Sequence, residues 1–282
     1  MRSEKEMYDL ILQTAINDER ILAVTISGSR VNENAPKDIF QDFDICYVVD
    51  NMDSFISDEK WLRRFGEPLI WGEPLVTRGH RFYLMQFTDG NRIDLNLYPK
   101  ELAHDCVKSS LSAVLLDKHN IFPKIDKASD IDFHVKKPNA LEFSQTCFAF
   151  WCTCPYVAKG LWREQALFAM GAIEKTLRPC LMKMLDWYVG KDTNFSVTTG
   201  KHYKYINKYL SEDIWEALIS TYTNADIKSI WNSMFTMCNL FGKVAASVAD
   251  SLCFKYNKLD EDNVVDFIKH INSLPKDAAG VY

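Results

Sequence analysis

The sequence predicts an α+β protein with two domains: a sheet-containing domain over residues 1–134 and a helical bundle over residues 135–282. Two observations support this prediction. Strand-like alternation of apolar and polar residues is concentrated before about residue 100, and helical spacing dominates after it. Residues 125–140 carry lysine-rich and polar stretches that are typical of a connection between domains.

The chain begins with a predicted amphipathic helix. Ser3 and Glu6 have the spacing of a capping box, and apolar residues at helical spacing continue to about residue 17. Residues 21–27 (ILAVTIS) predict a buried strand that ends at Gly28. Residues 43–49 alternate in polarity and predict a second strand after a loop or short helix.

A hairpin follows in the second half of this domain. Residues 81–88 predict a third strand, and Asp89-Gly90-Asn91 is typical turn chemistry. Residues 92–97 then alternate as a fourth strand, whose polar face carries Asp94. Residues 51–80 are less regular and predict an aromatic helical stretch and then a loop rich in glycine and proline.

The remainder of the chain predicts helices. Pro155 is expected to mark a helix boundary, and Pro179 a kink or break. The helices are predicted at residues 141–152, 156–188, 212–222 and 226–256.

Amino-acid composition and net charge indicate which kinds of binding partner are expected. The 282 residues are 47% hydrophobic and 25% charged, which is typical of a folded soluble protein. The net charge of −5 argues against a nucleic-acid partner and suits a small cationic substrate, although it is also an ordinary solubility charge.

Location is inferred from what the sequence does not contain. The N-terminus does not resemble a signal peptide, and no stretch approaches about 20 uninterrupted apolar residues, so no membrane association is expected. None of the eight cysteines forms a C-x-x-C pair, and several lie in apolar runs. A cytoplasmic protein with reduced cysteines is the simplest account.

Three sequence features together predict a site for a nucleoside triphosphate and divalent metal. Gly28-Ser29-Arg30 leaves a strand in a turn whose backbone N–H groups could face phosphate. Asp42 and Asp44, two residues apart, point to one face of the next strand, and Asp94 adds a third carboxylate. Carboxylates that bridge two metal ions can stabilise nucleotidyl transfer. Any one of these features alone would indicate no more than a turn or a solvated strand face.

These residues resemble those of the nucleotidyltransferase superfamily that includes DNA polymerase beta. Longer blocks resemble the aminoglycoside 6-adenylyltransferases, which adenylylate streptomycin, and the resemblance extends to about residue 256. One departure is Ser27, because most members carry glutamate before Gly-Ser-Arg. The blocks are MRSEKEMYDLIL, ISGSR, PKDIFQDFDICYVV, DIDFHVKKP, PYVAKGLWRE and GKHYKYINKYLSEDIWE.

The resemblance implies a polymerase beta-like mixed-sheet domain that binds ATP and Mg²⁺. AMP would be transferred to the 6-hydroxyl of streptomycin, conferring antibiotic resistance. Asp42, Asp44 and Asp94 would hold metal, and Asp94 would be the general base. Gly28, Ser29 and Arg30 would contact the triphosphate.

Further residues in the helical half are candidates by position. Lys201 is expected to neutralise phosphate. Glu142, Trp151 and Tyr156 are expected to bind substrate, and Glu142 is an alternative base. The expected partners are therefore ATP and a cationic aminoglycoside. The enzyme is expected to be a monomer or weak dimer.

Two alternatives remain open at this point. The same fold could act on another small-molecule or protein hydroxyl, or the chain could be a nucleotide-binding regulator without turnover. Retention of all three carboxylates argues against the regulator.

Overall fold

A computed structural model describes residues 1–57, 59–70, 75–77 and 79–282. Backbone contacts divide the chain into two compact units, Met1–Asp132 and Phe133–Tyr282, close to the predicted boundary. Each unit has its own hydrophobic core. The first contains a mixed sheet and the second is helical, so the predicted α+β class is confirmed.

The first unit begins with helix α1 (Glu4–Ile16), and its predicted capping box between Ser3 and Glu6 is present. The described strands are β1 (Ile21–Ser27), β2 (Phe43–Val49), β3 (Pro68–Ile70), β4 (Leu75–Thr77), β5 (His80–Phe87), β6 (Arg92–Pro99) and β7 (Ser112–Asp117). The short helical segments are Gly28–Val31, α2 (Asp53–Ile56), Glu59–Phe65 and Lys100–Val107.

The sheet has the strand order β3-β5-β6-β2-β1-β7, and β4 also pairs with β5. Strand β2 runs parallel to β6, whereas the other strand pairs are antiparallel. Parallel pairing aligns the starts of β2 and β6, so the polar residues near both starts become neighbours.

The two faces of the sheet differ in what they contact. Phe43, Ile45 and Tyr47 are at most 1% exposed and belong to the same core as the apolar face of α1. Each such side chain contributes roughly 1.5–3 kcal/mol by burial. On the opposite face, Val48 packs with residues of the Lys100–Val107 segment, and Asp44 remains partly exposed.

Cys46 and Cys106 lie in this second layer. Their sulfur atoms are paired as a disulfide, with Cα atoms 6.2 Å apart. The expectation of a reduced chain is therefore wrong at these two positions, because the Lys100–Val107 segment packs on the face of β2 that carries Cys46 and brings together residues 60 apart in sequence.

The second unit is built from α3 (Ala140–Trp162), α4 (Ala166–Ala172), a π-helical turn (Ile173–Leu177), α5 (Arg178–Asp192), α6 (Glu212–Ile219), α7 (Ile227–Leu252) and α8 (Lys258–Ser273). The helix boundary predicted at Pro155 is wrong, since α3 continues through it. Proline inside a helix costs about 3 kcal/mol. Burial of Phe150, Val157 and Leu161 on the same helix offsets that cost.

The elements that were not predicted are β3, β4, β7, α8 and the short helical segments Asp53–Ile56 and Lys100–Val107. Strands β3 and β4 have three residues each, too few for a reliable alternation. Helix α8 buries Ile268 and Ile271, and it lies beyond residue 256, where the predicted helices end. Among the described residues, no helix combines the length and apolarity that crossing a bilayer requires.

Candidate active site

A row of polar residues crosses four strands of the sheet. In the strand register Asp94 pairs with Asp44, Asp44 with Ser27, and Ser27 with Ser112. Residues that are directly opposite on neighbouring strands point to the same face, with Cβ atoms about 4.5–5.5 Å apart. The sheet therefore brings together two of the three predicted carboxylates on the face opposite the α1 core.

The turn after β1 is fitted closely to Asp44. Gly28 has φ +77°, a left-handed conformation that favours glycine. A Cβ atom at this position would lie 2.3 Å from Oδ2 of Asp44. Glycine is therefore required both by the backbone and by the approach of the carboxylate.

Some of the groups in this turn that were predicted to bind phosphate already have hydrogen-bond partners within the protein. The backbone N–H of Gly28 donates to the carbonyl oxygen of Leu111 at 3.1 Å, so it is already used within the sheet. The carbonyl oxygen of Ser29 accepts from the side-chain amide of Gln41 at 3.3 Å. Among the described residues no hydrogen bond from the Ser29 hydroxyl is observed, which leaves that hydroxyl as the group of this turn best suited to a phosphate oxygen.

Arg30 has a role that sequence reasoning did not foresee. Its guanidinium donates to the backbone oxygens of Asp42 and Gln41 at 3.0 and 2.6 Å, and it lies 3.5 Å from the ring centroid of Phe43. The side chain is 7% exposed and also forms an ion pair with Glu4. These contacts hold the segment that carries Asp42, so the structure shows positioning by Arg30, and its predicted contact to nucleotide stays a prediction.

Asp42 and Asp94 share a cation that the sequence reasoning missed. Nε and Nη2 of Arg92 donate to Oδ1 and Oδ2 of Asp94 at 2.7 and 3.1 Å. The same Nε lies 3.8 Å from Oδ2 of Asp42. Burial raises the pKa of the Asp42 carboxyl, Arg92 opposes this increase, and the negative charge of Asp94 adds to it. The sequence signal was available: Arg92 and Asp94 are two residues apart on one strand and so share a face.

The donor set fits a divalent metal such as Mg²⁺, which prefers carboxylate oxygens. Within the described ranges no three His, Cys, Asp or Glu side chains already converge into a metal-binding group. The carboxylates of Asp42 and Asp94 instead face the guanidinium of Arg92. Arg92 balances part of the negative charge of these carboxylates in the absence of metal.

Ser112 is a second residue that the sequence reasoning missed. It is 4% exposed, and its hydroxyl oxygen has no hydrogen-bond partner among the described residues. A buried hydroxyl without a partner costs about 1–3 kcal/mol, so such a group is a candidate for ligand binding. Its strand was not predicted, and this is why its position next to Ser27 was not recognised.

The predicted residues of the helical unit lie in different local settings. Glu142 completes a capping box at the start of α3, accepting from the backbone N–H of Asn139 at 2.9 Å. Tyr156 is exposed, and its ring centroid lies 4.8 Å from that of Phe168. Lys201 is exposed in a short helical turn after Gly200. Nothing within this unit joins these three residues into one group.

Trp151 is 4% exposed and belongs to the core of the helical unit. Its indole N–H donates to the Tyr256 hydroxyl at 3.1 Å, and that hydroxyl donates to Glu261 at 2.8 Å. The ring contributes to a cavity of about 480 Å³ between α3 and the start of α8. Its lining combines aromatic and apolar side chains with Asp260 and Lys255.

Asp186 on α5 is a further carboxylate that the sequence did not single out. Burial raises its pKa to about 6, and a hydrogen bond from the Thr199 hydroxyl at 2.7 Å opposes the shift. The following segment contains His202 and Tyr203 with φ values of +55° and +62°. Left-handed backbone at such residues costs about 1–3 kcal/mol each and is often found at functional sites.

The sheet domain and its site define a class of enzyme. A strand followed by a Gly-Ser turn, with carboxylates on two neighbouring parallel strands, supplies the groups that metal-assisted nucleotidyl transfer requires.

Comparison with known proteins gives the family. The family model described as streptomycin adenylyltransferase matches residues 1–271. The chain is 43% identical over 269 residues to an aminoglycoside 6-adenylyltransferase of Campylobacter jejuni, covering 93% of each chain. It is 39% identical to one of Bacillus subtilis (strain 168), covering 93% of this chain and 95% of that protein. A crystal structure of an aminoglycoside 6-adenyltransferase from Bacillus subtilis is 33% identical, covers 97% of this chain and 100% of that chain, and has a TM-score of 0.49.

The chain belongs to the streptomycin adenylyltransferase family and is a nucleotidyltransferase. The family match extends through most of α8, beyond the limit near residue 256 that the sequence blocks indicated.

Proposed function

We propose that this enzyme transfers AMP from ATP, with Mg²⁺, to the 6-hydroxyl of streptomycin and thereby confers resistance to this antibiotic. The observation that carries the proposal is the alignment of Asp44 with Asp94 across β2 and β6, directly beside the Gly28 turn. Membership of the family supports the choice of an aminoglycoside as acceptor.

The reaction forms one bond and breaks another at the α-phosphorus. The acceptor hydroxyl oxygen attacks that phosphorus, and the bond to the bridging oxygen of pyrophosphate breaks. The hydroxyl proton must be accepted by a base within hydrogen-bond distance. A bound divalent cation would neutralise the charge that develops on the phosphate oxygens.

Each residue of the sheet site has a defined task in this proposal. Asp42, Asp44 and Asp94 supply the oxygens that would hold the cation, and Asp94 accepts the proton. Ser29 donates a hydrogen bond from its hydroxyl to the triphosphate. Lys201 is proposed to neutralise phosphate, and Glu142, Trp151 and Tyr156 are proposed to contact the acceptor.

Positive charge on the acceptor agrees with the composition of the chain. Streptomycin carries two guanidinium groups, which carboxylates can bind through paired hydrogen bonds. The net charge of −5 favours approach of such a cation, and binding should weaken as salt concentration rises. A cytoplasmic location and a monomeric or weakly dimeric state complete the proposal.

Mass analysis of an aminoglycoside panel incubated with enzyme, ATP and Mg²⁺ tests the proposal. The expected result is an AMP adduct of streptomycin, whose site of attachment nuclear magnetic resonance assigns to the 6-hydroxyl. An adduct on another aminoglycoside alone would refute streptomycin as substrate. Absence of any adduct, with ATP still bound, would favour a nucleotide-binding regulator.

Asp94→Asn tests the assignment of the base. A base acts in the transition state, so the variant should lose kcat by about 10²–10⁴-fold while streptomycin binding, measured by calorimetry, changes little. A variant that retains the wild-type kcat would exclude Asp94 as the general base and favour Glu142, the alternative base.

A further inference from the structure

Arg92 lies beside the carboxylates of Asp42 and Asp94 in the sheet domain. Its Nε and Nη2 atoms bind both carboxylate oxygens of Asp94, at 2.7 and 3.1 Å, and Nε lies 3.8 Å from Oδ2 of Asp42. The Asp94 side chain is 15% exposed and that of Arg92 is 35% exposed. This is a paired, charge-assisted contact of the strong kind, made inside the group of carboxylates proposed to bind metal.

The contact conflicts with metal binding. Each Asp94 oxygen keeps a second lone pair, but the guanidinium occupies one side of the carboxylate and repels a divalent cation that approaches the same oxygens. At a separation of about 4 Å this repulsion stays appreciable even with solvent screening, and it is larger for a doubly charged ion than for a singly charged one. Asp94 should therefore bind a metal ion more weakly while Arg92 is paired with it.

The position of Arg92 also reduces the electrostatic repulsion between neighbouring carboxylates. Asp44 and Asp94 are strand neighbours, and Asp42 lies close to the same cation. A cation near the carboxylates reduces their mutual repulsion when no metal is bound. The long side chain is partly exposed, so it can leave Asp94 without disturbing the buried core.

We propose that Arg92 is the internal counter-ion of the nucleotide-free site, and that it leaves Asp94 when the metal–nucleotide complex binds and then pairs with the triphosphate. The planar fork of arginine suits phosphate oxygens as well as it suits a carboxylate. One residue thus holds the metal-binding carboxylates in place and couples their release to the arrival of nucleotide. This inference rests on the metal site of the proposed function, but not on the identity of the acceptor.

Binding of Mn²⁺ to enzyme without nucleotide, followed by electron paramagnetic resonance, tests the first half of the proposal. Arg92→Gln removes the competing charge, so the variant should bind Mn²⁺ about ten-fold or more tightly than wild type. Arg92→Lys keeps the charge but loses the fork, and an intermediate affinity is expected. Arg2→Gln is the matched control, because it removes another Arg–Asp pair of the same unit, with Asp89, and should leave Mn²⁺ affinity unchanged.

Unchanged or weaker Mn²⁺ binding by both Arg92 variants would overturn the counter-ion assignment, even if streptomycin is adenylylated. The second half is tested with a non-hydrolysable ATP analogue and Mn²⁺, which should bind roughly ten-fold more weakly to Arg92→Gln than to wild type. Equal affinity for the analogue would overturn the pairing with triphosphate. Neither measurement uses turnover, so a wrong acceptor in the proposed function would not affect the result.

Discussion

Replacing Gly28 by alanine should separate backbone strain from damage to the active site. The residue has φ +77°, and the added Cβ atom would lie 2.3 Å from Oδ2 of Asp44. The left-handed conformation costs a non-glycine residue about 1–2 kcal/mol, which should lower the free energy of unfolding by that amount.

The close contact has a second effect on catalysis. Ordinary contact to a Cβ atom begins at 3.4 Å, so the Asp44 carboxylate must move by about 1 Å. A displacement of about 1 Å in a catalytic group can cost roughly 10²-fold in rate. We therefore expect Gly28→Ala to fold, to be slightly destabilised, and to lose about two orders of magnitude in kcat.

Gly90→Ala supplies the matched control. Gly90 has φ +89° in the turn before β6, and an added Cβ atom would meet nothing within 4 Å. It should lose similar stability in urea unfolding and keep near wild-type AMP transfer. If the two variants had equal activity, the approach of Gly28 to Asp44 would not matter for catalysis, and the reasoning would be refuted.

Two further predictions concern buried polar groups. The pKa of Asp186 is about 6 in the folded protein and about 4 in the unfolded chain, so between pH 4 and pH 6 the folded protein binds the proton more strongly. The contribution of Asp186 to the free energy of unfolding therefore decreases as the pH rises from 4 to 6. In urea titrations, the free energy of unfolding of Asp186→Asn relative to wild type should accordingly rise by about 1–2 kcal/mol from pH 4 to pH 7, a range that allows for solvent screening of a partly exposed group. A difference that stays constant with pH would contradict the raised pKa. Ser112→Ala removes a hydroxyl without a partner and should leave stability unchanged or raise it by about 1 kcal/mol. Ser233→Ala, which loses a buried bond to the carbonyl oxygen of Thr221 at 2.6 Å, should instead lose about 1 kcal/mol, and equal losses in the two variants would show that Ser112 has a partner.

Local signals were sufficient to predict the central part of the sheet. Alternation in residues 43–49 and 92–97 predicted β2 and β6, and Gly28 marked the end of β1. The glycine was informative because only a residue without a side chain accepts both the left-handed turn and the adjacent Asp44. These signals depend on a few neighbouring residues, which is why a single sequence reveals them.

Contacts between distant segments were not predictable in the same way. The pairing of Arg92 with Asp42 depends on the parallel register of β2 with β6, and the position of Ser112 beside Ser27 depends on a strand without clear alternation. The contacts of the Arg30 guanidinium with backbone oxygens of the Asp42 segment were likewise not visible in the sequence, and its predicted contact to nucleotide stays a prediction. Sequence proximity indicates which groups are near the turn, whereas the fold decides which of them are already engaged.

Transfer of label from ATP to streptomycin tests the central claim most directly. With ATP labelled at the α-phosphorus, the antibiotic should become labelled in the presence of wild-type enzyme and Mg²⁺, and it should stay unlabelled with ATP labelled at the γ-phosphorus. Asp44→Asn, which changes one carboxylate with little change in volume, should fold and abolish transfer. Label from the γ-phosphorus on the antibiotic, or undiminished transfer by Asp44→Asn, would contradict the assignment of nucleotidyl transfer to this row of carboxylates.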